Sequence, residues 1–543
     1  MTAADLVIRN ARVHTVDASL PRAEAIAVRG ERIIWVGDDD VDEHVGPATE
    51  VIDAGGALVL PGIVDAHNHV RLGSDAGAVQ LAGATSLEEV HRRIRSWLAE
   101  HPDAEWVEAE GLNYAAIPGG RMPRAEDIGE DVTGGRPATM FTYDVHNLVL
   151  NREAMRRLGI EPGARRLPYG TPERDPATGE LTGLIGDFAV MGISRDGQAA
   201  LSRVLPGLSD ARRYERMCRS LEMAIGFGIT TIVEPQNSPD DLPLFARARE
   251  EGRLASRLIA ALFHPPTTTD ADLEEFAAAA RAYDDDRLRA GPLKLYIDDV
   301  IEPHTAAVLE PYSTPPRTTG NTFYPPEDFI DLIPKLEARG FQTFTHATGD
   351  RGIRTVLDAV EYARERNGPK DARHQIVHVE LVHPDDLPRF AQLGVVACMQ
   401  PRHFAPDIGV DWRAAVGPER EAHAAPWRSL HERGATLAFS SDWNVAEMDP
   451  LVGMYTAMTR ADLEGGGAWT TEQTLDLATT IHAYTMGSAF ANFCEHDRGS
   501  ITPGKYADLI VLSQDLFAIE PRAFLDTEVQ LAIVGGEVAR DAR

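Results

Sequence analysis

Residues 61–69 read PGIVDAHNH, a short apolar strand that ends in a His-x-His pair. Residues two apart on a strand point to the same side, so His67 and His69 can present two imidazole rings to one metal ion. The pair alone is a weak indication, because two surface histidines at a strand end give the same pattern. The prediction of a metal site therefore depends on what other strand ends supply.

Apolar runs of strand length alternate with amphipathic helical patterns over the central part of the chain, as in residues 86–101, 214–227 and 351–366. This order predicts βα units and a parallel sheet closed into a (β/α)8 TIM barrel of the α/β class. The eight candidate strands are GIVDAH (62–67), WVEAEG (106–111) or ATMFTYD (138–144), GITTIVEP (228–235), LKLYID (293–298), QTFTHA (342–347), QIVHVE (375–380), VVACMQ (395–400) and LAFSSD (437–442).

Three later candidate strands also end in metal-binding side chains, namely His346, His378 and Asp442. The carboxyl ends of parallel barrel strands converge on one mouth, so these groups are expected to meet the His67 and His69 pair there. Each residue also has a simpler interpretation, since His346 or Asp442 can cap a helix or loop and His378 can be a core histidine. Together they favour a metal centre.

Lys294 stands inside the apolar segment 293–297 and is one of only four lysines in the chain. An unpaired ammonium is costly to bury, and burial lowers the pKa of a lysine. The neutral amine is a nucleophile that can take up carbon dioxide as a carbamate and so bridge two divalent cations. An ion pair with Asp298, Asp299 or Glu234 is the simpler alternative.

Short apolar strands broken by glycines occupy both ends of the chain. We predict that residues 1–61 and 497–543 build one composite β-sandwich domain, and that residues 62–496 form the barrel. Residues 115–205 are rich in turn-forming residues and too long for a βα loop, so we interpret them as an insertion near the barrel mouth that could cover a pocket.

The 543 residues carry a formal net charge of -31, which disfavours nucleic acid and anionic membranes as partners. The cysteines, Cys218, Cys398 and Cys494, are far apart and predict neither disulfides nor a thiolate zinc site. The N-terminus lacks the pattern of a signal peptide, and no apolar run is long enough to span a membrane. A cytoplasmic location is expected, and a homodimer is one possible assembly.

Several motifs together resemble the amidohydrolase superfamily, and most closely its family 3, which includes enzymes similar to N-substituted formamide deformylase. The motifs are LPGIVDAHNH, the Lys294 strand, HATGDRG, HVELVHPDDLPRFAQLGVVACMQPRH, LAFSSDWNV and GSITPGKYADLIVL, which extend over nearly the whole chain. The chain departs from the family at Asp299, where glycine is common, and at Trp443 and Asn444, where small residues and proline are usual.

The resemblance implies that His67 and His69 bind one metal ion, that His346 and His378 bind a second, and that carboxylated Lys294 lies between them. Asp442 would hold the catalytic water. The expected cofactors are one or two divalent ions per chain, with zinc as the first candidate beside manganese and iron, and carbon dioxide as the carbamate.

The predicted activity is cleavage of a carbon–nitrogen bond in an amide, formamide or N-acyl small molecule by a metal-bound hydroxide. Asp442 would carry the proton to the departing nitrogen, and His146 or His403 would donate a hydrogen bond to the developing oxyanion. Aromatic residues on predicted mouth loops indicate an apolar or aromatic substrate group, although they can equally be packing; the predicted substrate contacts are Tyr114, Tyr296 and Trp443. Glu234 can orient a ligand or Lys294, or form an ion pair.

Three alternatives stay open. A lactone or ester hydrolase uses the same metal ions. A barrel deaminase typically uses one metal and an HxxE motif, whereas this chain has HATG after its histidine strand. A non-catalytic scaffold is expected to have lost ligands, and every expected ligand is present.

Overall fold

The computed structural model describes residues 3–38, 41–73, 77–192 and 194–543. Residues 1, 2, 39 and 40 of the predicted terminal domain, and residue 193 of the predicted insertion, lie outside the described residues. The chain divides into two compact units, one formed by residues 1–69 and 221–543 and the other by residues 70–220. The second unit covers a wider range than the predicted insertion.

The first unit contains a nearly closed barrel of eight parallel strands, which we call β1 to β8. They are β1 Ile63–Asp65, β2 Ile229–Asn237, β3 Arg257–Phe263, β4 Leu288–Tyr296, β5 Thr343–Ala347, β6 Gln375–His378, β7 Val396–Met399 and β8 Leu437–Phe439. Each strand pairs in parallel with the next in this order. Nearly every strand residue is buried, as expected where helices cover a parallel sheet.

One of the eight predicted barrel strands was wrong. The segments 106–111 and 138–144, predicted as alternatives for one strand, belong to a sheet of the second unit, and the barrel uses Arg257–Phe263 instead. The sequence of that strand, RLIAALF, is as apolar as the others and lies between two helices, Leu242–Glu250 and Asp270–Ala282. Apolar periodicity identifies a strand but does not say which sheet it joins.

The barrel closes between β1 and β8 through hydrogen bonds just beyond the two strands. The backbone N–H of Asp442 donates to the His67 carbonyl at 2.8 Å, and that of His69 donates to the Trp443 carbonyl at 2.6 Å. The buried Asp65 carboxylate accepts from both the backbone N–H and the hydroxyl of Ser441, at 3.0 and 2.6 Å. Asp65 therefore ties the first barrel strand to the segment that follows the last.

Helices follow the barrel strands in sequence, which confirms the predicted βα order. Those of the first unit are Leu242–Glu250, Asp270–Ala282, Pro326–Ala338, Asp350–Asn367, Leu387–Leu393, Val410–Val416, Pro418–Glu421, Trp427–Glu432, Pro450–Thr459, Leu477–His482 and Ser488–Ala491. The helix predicted in residues 351–366 corresponds to Asp350–Asn367. Among the described residues, none of the helices is both long enough and apolar enough to cross a membrane.

Two further sheets of the first unit are built from the chain ends. One has the strand order Arg32–Gly37, Ala25–Arg29, Leu6–Arg9, Glu50–Asp53; the other has Glu537–Asp541, Val529–Val534, Leu509–Leu512, Leu58–Pro61, Arg12–His14, Arg22–Ala23. The two termini share the second sheet, and one apolar cluster includes Ile8 and Ile26 of the first sheet with Val59, Leu509 and Ile533 of the second. A separate β-sandwich domain stays a prediction.

The second unit has a mixed sheet of its own. Its strand order is Thr171–Arg174, Leu181–Gly186, Leu148–Leu150, Ala138–Thr142, Val107–Leu112, Val79–Gln80. Its helices are Leu87–Glu100, Glu130–Thr133, Arg152–Arg157, Phe188–Met191, Arg195–Leu201 and Asp210–Gly226, the last of which continues past the unit boundary. The helices predicted in residues 86–101 and 214–227 are thereby confirmed.

We expect Asp65→Asn to lower the free energy of unfolding by about 1 to 3 kcal/mol. The substitution replaces an acceptor oxygen with an NH2 group, which then faces hydrogen-bond donors. Asn68 Nδ2 and the Ser441 hydroxyl both donate to Asp65 Oδ2. Urea unfolding at pH 7 with a chelator present measures the effect. The exposed Asp526→Asn serves as the control, and equal stability of the two variants would refute the closing role of Asp65.

Candidate metal centre

Three ligand atoms from the two ends of the barrel sheet lie in a tight triangle. His67 Nε2 and His69 Nε2 are 3.1 Å apart, and each lies 3.2 Å from Asp442 Oδ1. All three residues are buried. His67 and His69 follow β1 directly, and Asp442 follows β8, so the closure of the barrel brings these predicted ligands together.

The triangle has the dimensions of a metal-binding site. A tetrahedral zinc ion with ligand bonds of about 2.0 to 2.1 Å holds its ligand atoms about 3.3 to 3.4 Å apart. Within the described ranges, the other ring nitrogens of the two histidines, His67 Nδ1 and His69 Nδ1, are buried and have no hydrogen-bond partner. Two imidazole nitrogens and a carboxylate oxygen at this spacing fit a divalent cation by both geometry and donor chemistry.

A second group of potential ligands shares the same carboxylate. His378 Nδ1 and His403 Nε2 each lie 3.7 Å from Asp442 Oδ2. In the described part of the chain, these three residues form the other group whose ligand atoms approach within 4.8 Å of one another. His403 lies on the 3-10 helix Pro401–Phe404 after β7, so the structure brings this predicted catalytic residue to the metal centre.

His346 and His378 stand side by side, with ring centroids 4.4 Å apart. His346 lies in β5, and its Nε2 is 3.0 Å from the carbonyl oxygen of Asp299. His378 is the last residue of β6, and its Nδ1 is 2.9 Å from Gln400 Oε1. The His378 ring lies 5.4 Å from that of His67, so the predicted second pair of ligands adjoins the first.

Lys294 is completely buried in β4. Its Nζ has no hydrogen-bond partner among the described residues, and it lies 4.7 Å from the ring centre of Tyr296 and 5.1 Å from that of Phe344. Burial lowers the pKa of Lys294 to about 7, although the charges of Asp442 and Glu234 oppose this shift. The amine is therefore accessible in its neutral, nucleophilic form near neutral pH.

The charges around the centre keep its ligands in a metal-binding form. Burial, assisted by the charge of Lys294, lowers the pKa of His67 to about 3, and burial with the charge of His346 lowers that of His378 well below its usual value. Burial alone would raise the pKa of Asp442, but His67, His69 and His378 outweigh it and hold that pKa well below the usual value. Neutral imidazoles beside an ionised carboxylate are the forms that bind cations.

Three residues of the centre have left-handed backbone conformations that favour glycine. His378 has φ 78°, Val379 φ 52° and Asp442 φ 56°. Such conformations cost about 1 to 3 kcal/mol each and persist where the surroundings impose them. Here the N–H of Val379 donates to the Ala347 carbonyl at 3.2 Å, and that of Asp442 donates to the His67 carbonyl. The strain coincides with the predicted ligands, which favours a functional origin.

Two predicted substrate contacts lie beside these ligands. Tyr296 is buried, its ring stacks on that of His346 at 4.6 Å, and its hydroxyl donates to Gln236 Oε1 at 3.1 Å. This placement suits support of His346 and Lys294 as well as contact with a substrate. Trp443 is half-buried and follows Asp442 directly. Both roles in substrate binding stay predictions.

The other predicted substrate and catalytic residues, Tyr114 and His146, belong to the second unit. The Tyr114 hydroxyl donates to Asp144 Oδ2 at 2.9 Å and accepts from Asn147 Nδ2 at 2.6 Å. The backbone N–H of His146 donates to Asp144 Oδ1 at 3.0 Å. Asp144 therefore organises both residues within one polar cluster, and their contact with a substrate stays a prediction.

Sequence reasoning missed the residues that support the ligands. Asp65 precedes His67 by two positions and points to the same side of the strand end, so its place in the motif could have indicated a supporting carboxylate. Gln400 and Ser440 follow β7 and β8 and connect to His378. Neither side chain is a common metal ligand, and nothing in its spacing distinguishes it from other polar residues at strand ends.

A sequence profile of the amidohydrolase family matches residues 50–540. The protein LONG AFTER FAR-RED 3 of Arabidopsis thaliana is 28% identical, and the alignment covers 94% of this chain and 87% of that protein. Putative amidohydrolase YtcJ of Bacillus subtilis is 26% identical with 97% of each chain covered. N-substituted formamide deformylase of Arthrobacter pascens is 25% identical with 94% of each covered.

Solved structures share the fold. An uncharacterised metal-dependent hydrolase from Pyrococcus horikoshii matches with a TM-score of 0.73 at 22% identity, covering 95% of this chain and 99% of that one. Atrazine chlorohydrolase TrzN from Arthrobacter aurescens, complexed with zinc, matches with a TM-score of 0.53 at 16% identity, covering 99% and 95%. At these identities the structural likeness establishes the fold.

Removal of one ligand from the His67, His69 and Asp442 triangle should weaken metal binding. We expect His69→Ala to raise the zinc dissociation constant at least about 100-fold, because only two of the three ligand atoms remain. Competition with a chromophoric chelator measures it. His496→Ala, which changes a side chain that is 85% exposed, is the control and should bind zinc as the wild type does. An unchanged dissociation constant in His69→Ala would exclude this triangle as the metal site.

Proposed function

The chain belongs to the amidohydrolase family, and from that premise we propose that it is a metal-dependent hydrolase that cleaves a carbon–nitrogen bond in a small molecule. The triangle of His67 Nε2, His69 Nε2 and Asp442 Oδ1 is the observation that carries this proposal. Its dimensions suit a divalent cation, and it lies at the carboxyl ends of barrel strands, where active sites of this fold are built.

Zinc is the proposed metal, because imidazole nitrogen and carboxylate oxygen are its common protein ligands. Atrazine chlorohydrolase TrzN, which shares the fold, is complexed with zinc in its crystal structure. We propose one ion at His67, His69 and Asp442 and a second at His346 and His378. When bound, a divalent ion lowers the pKa of a coordinated water and polarises a carbonyl oxygen.

Lys294 is the proposed bridge between the two positions, carboxylated by carbon dioxide. Its burial, its pKa of about 7 and its lack of a hydrogen-bond partner in the described residues support this modification. The neutral amine forms a bond to the carbon of carbon dioxide and releases one proton, which gives a carbamate with the charge and oxygen atoms of a carboxylate. A buried ammonium would repel two neighbouring cations, whereas a carbamate attracts both.

Asp442 is the proposed proton carrier. Its carboxylate is buried, ionised and shared between the two groups of histidines, so it can take up a proton at the centre and return it to the departing nitrogen. His403 Nε2, which is buried without a hydrogen-bond partner among the described residues, is the proposed donor to the oxygen that becomes negative. His146 remains a second candidate for that role.

The proposed substrate is an amide, formamide or N-acyl compound. The name of the Arthrobacter pascens relative, N-substituted formamide deformylase, supports this class, and that relative matches along 94% of its length. Tyr114, Tyr296 and Trp443 are proposed to contact an apolar or aromatic group of the substrate. A cytoplasmic location, a homodimer and the absence of nucleic-acid and membrane partners stay predictions.

The alternatives differ in how well they account for Lys294. A lactone or ester hydrolase would use the same centre, so substrate assays must separate it from an amidase. A deaminase with a single metal leaves the buried Lys294 without a role. A non-catalytic scaffold leaves the strain at His378 and Asp442 unexplained.

Lys294→Ala tests the carbamate bridge. We expect the variant to lose one zinc ion per chain, or at least about 10-fold in affinity for it, and short carboxylic acids such as propionate to restore binding in part. Elemental analysis and chelator competition measure both effects. Lys335→Ala, an exposed lysine on the helix Pro326–Ala338, is the matched control. Full zinc content in Lys294→Ala would remove the bridge from the proposal.

Matched pairs of N-formyl and N-acyl amides, and esters with the same acyl group, test the reaction class. We expect the zinc-loaded enzyme to have a higher kcat/KM for the amide than for the ester of each pair. We also expect Asp442→Asn to keep its fold but to lose at least about 1000-fold in kcat, because the proposed proton carrier is gone. Circular dichroism checks the fold. Preference for the ester would favour the lactone or ester hydrolase, and turnover by Asp442→Asn at the wild-type rate would refute the role of Asp442.

A further inference from the structure

Gln400 lies directly behind His378, in a row of polar groups that connects three neighbouring barrel strands. It follows β7, His378 ends β6, and Ser440 follows β8. Gln400 is 1% exposed. Its Oε1 lies 2.9 Å from His378 Nδ1, and its Nε2 donates to the Ser440 hydroxyl at 2.8 Å. The side-chain amide therefore bridges a predicted ligand and the last strand.

The partners of Gln400 decide which end of its amide faces the histidine. The Ser440 hydroxyl donates to the Met399 carbonyl at 3.4 Å, which leaves its oxygen to accept from the NH2 group of Gln400. The amide oxygen then faces His378. A carbonyl oxygen only accepts hydrogen bonds, so Nδ1 of the neutral His378 ring must carry the hydrogen. Asp442 Oδ2 lies on the same side of the ring at 3.7 Å, beyond hydrogen-bond distance.

This hydrogen bond fixes the tautomer of His378. With the hydrogen on Nδ1, the lone pair of the ring is on Nε2. The neighbouring His346 shows the opposite arrangement, because its Nε2 lies 3.0 Å from the Asp299 carbonyl and therefore carries the hydrogen. The lone pair of His346 is then on Nδ1. Two adjacent rings of one centre thus offer different nitrogens, each set by an acceptor behind the ring.

We propose that Gln400, braced by Ser440, is a positioning residue that holds His378 as the Nδ1–H tautomer so that Nε2 binds the second metal ion. The inference rests on the proposed function, because it needs a cation at His346 and His378. Acceptors behind a metal-binding histidine orient the ring and increase its basicity, and their removal typically weakens metal binding about 10- to 100-fold. The hydrogen bonds of the Gln400 side chain to described residues go to His378 and Ser440 and not to His67, His69 or Asp442, so the effect should be confined to one ion.

Zinc titration of the metal-free protein against a chromophoric chelator tests the proposal with two variants of Gln400. Gln400→Leu keeps the approximate size of the side chain and removes the acceptor, so one zinc ion should bind about 10- to 100-fold more weakly while the other is unchanged. Gln400→Glu keeps an acceptor oxygen for Nδ1–H, so it should retain both zinc ions. A side chain that only fills space would make Gln400→Leu the milder variant, because it buries no new charge.

Gln375→Leu is the matched control. Gln375 is buried three positions before His378 on the same strand, and it donates to the Ala491 carbonyl at 3.0 Å rather than to a ligand. This variant should lose thermal stability and keep both zinc affinities. Ser440→Ala removes the hydrogen-bond partner of the Gln400 NH2 group, so the amide can rotate. The affinity for the same zinc ion should fall, but less than in Gln400→Leu. This variant provides a second measurement if Gln400→Leu does not fold.

The outcomes separate this inference from the proposed function. Wild-type protein that takes up no zinc overturns both. Wild-type protein that binds zinc, with Gln400→Leu and Ser440→Ala binding it equally well, overturns the role of Gln400 alone. A loss of affinity in Gln400→Glu as large as that in Gln400→Leu also overturns it, since the acceptor oxygen would then be irrelevant.

Discussion

The closure of the barrel between β1 and β8 is the constraint on which the metal centre depends. The strands themselves are short, and the connection is completed beyond their ends by the Asp442-to-His67 and His69-to-Trp443 backbone hydrogen bonds and by the Asp65 carboxylate. Three of the four backbone atoms in these hydrogen bonds belong to residues of the ligand triangle, and the fourth belongs to Trp443. Closure of the barrel therefore places the ligands of the triangle next to one another.

Burial sets the chemistry of the groups that the closure assembles. It lowers the pKa values of His67 and His378 and brings that of Lys294 to about 7, while the neighbouring histidines hold the pKa of Asp442 low against its own burial. In water the Lys294 amine would keep its usual pKa and would be an ammonium that repels a cation. Inside the barrel the low dielectric raises the cost of leaving like charges or lone pairs together, which favours a divalent ion as their common partner.

Much of the fold and the main ligands could be predicted from the sequence, because both follow from strand ends. His67, His69, Lys294, His346, His378 and Asp442 lie in or directly after β-strands, and a parallel barrel brings such positions together whatever their separation in the chain. The strand Arg257–Phe263 was missed, and the segments 106–111 and 138–144 were misplaced, because an apolar run does not encode its neighbours.

Apart from Asp65, the supporting groups could not be predicted, because they act through positions that depend on loops. Asp298 shows how: its buried carboxylate accepts from the backbone N–H groups of Ala307, Thr348 and Gly349 at 3.0 to 3.1 Å, which fixes the loop after β4 against the turn after β5. That anchoring places the neighbouring Asp299 carbonyl 3.0 Å from His346 Nε2. Any residue at position 299 offers a backbone carbonyl, so the departure from glycine there leaves this hydrogen bond intact. The orientation of His346 thus depends on Asp298 and on the path of the loop after β4. The orientation of His378 depends on the side chain of Gln400.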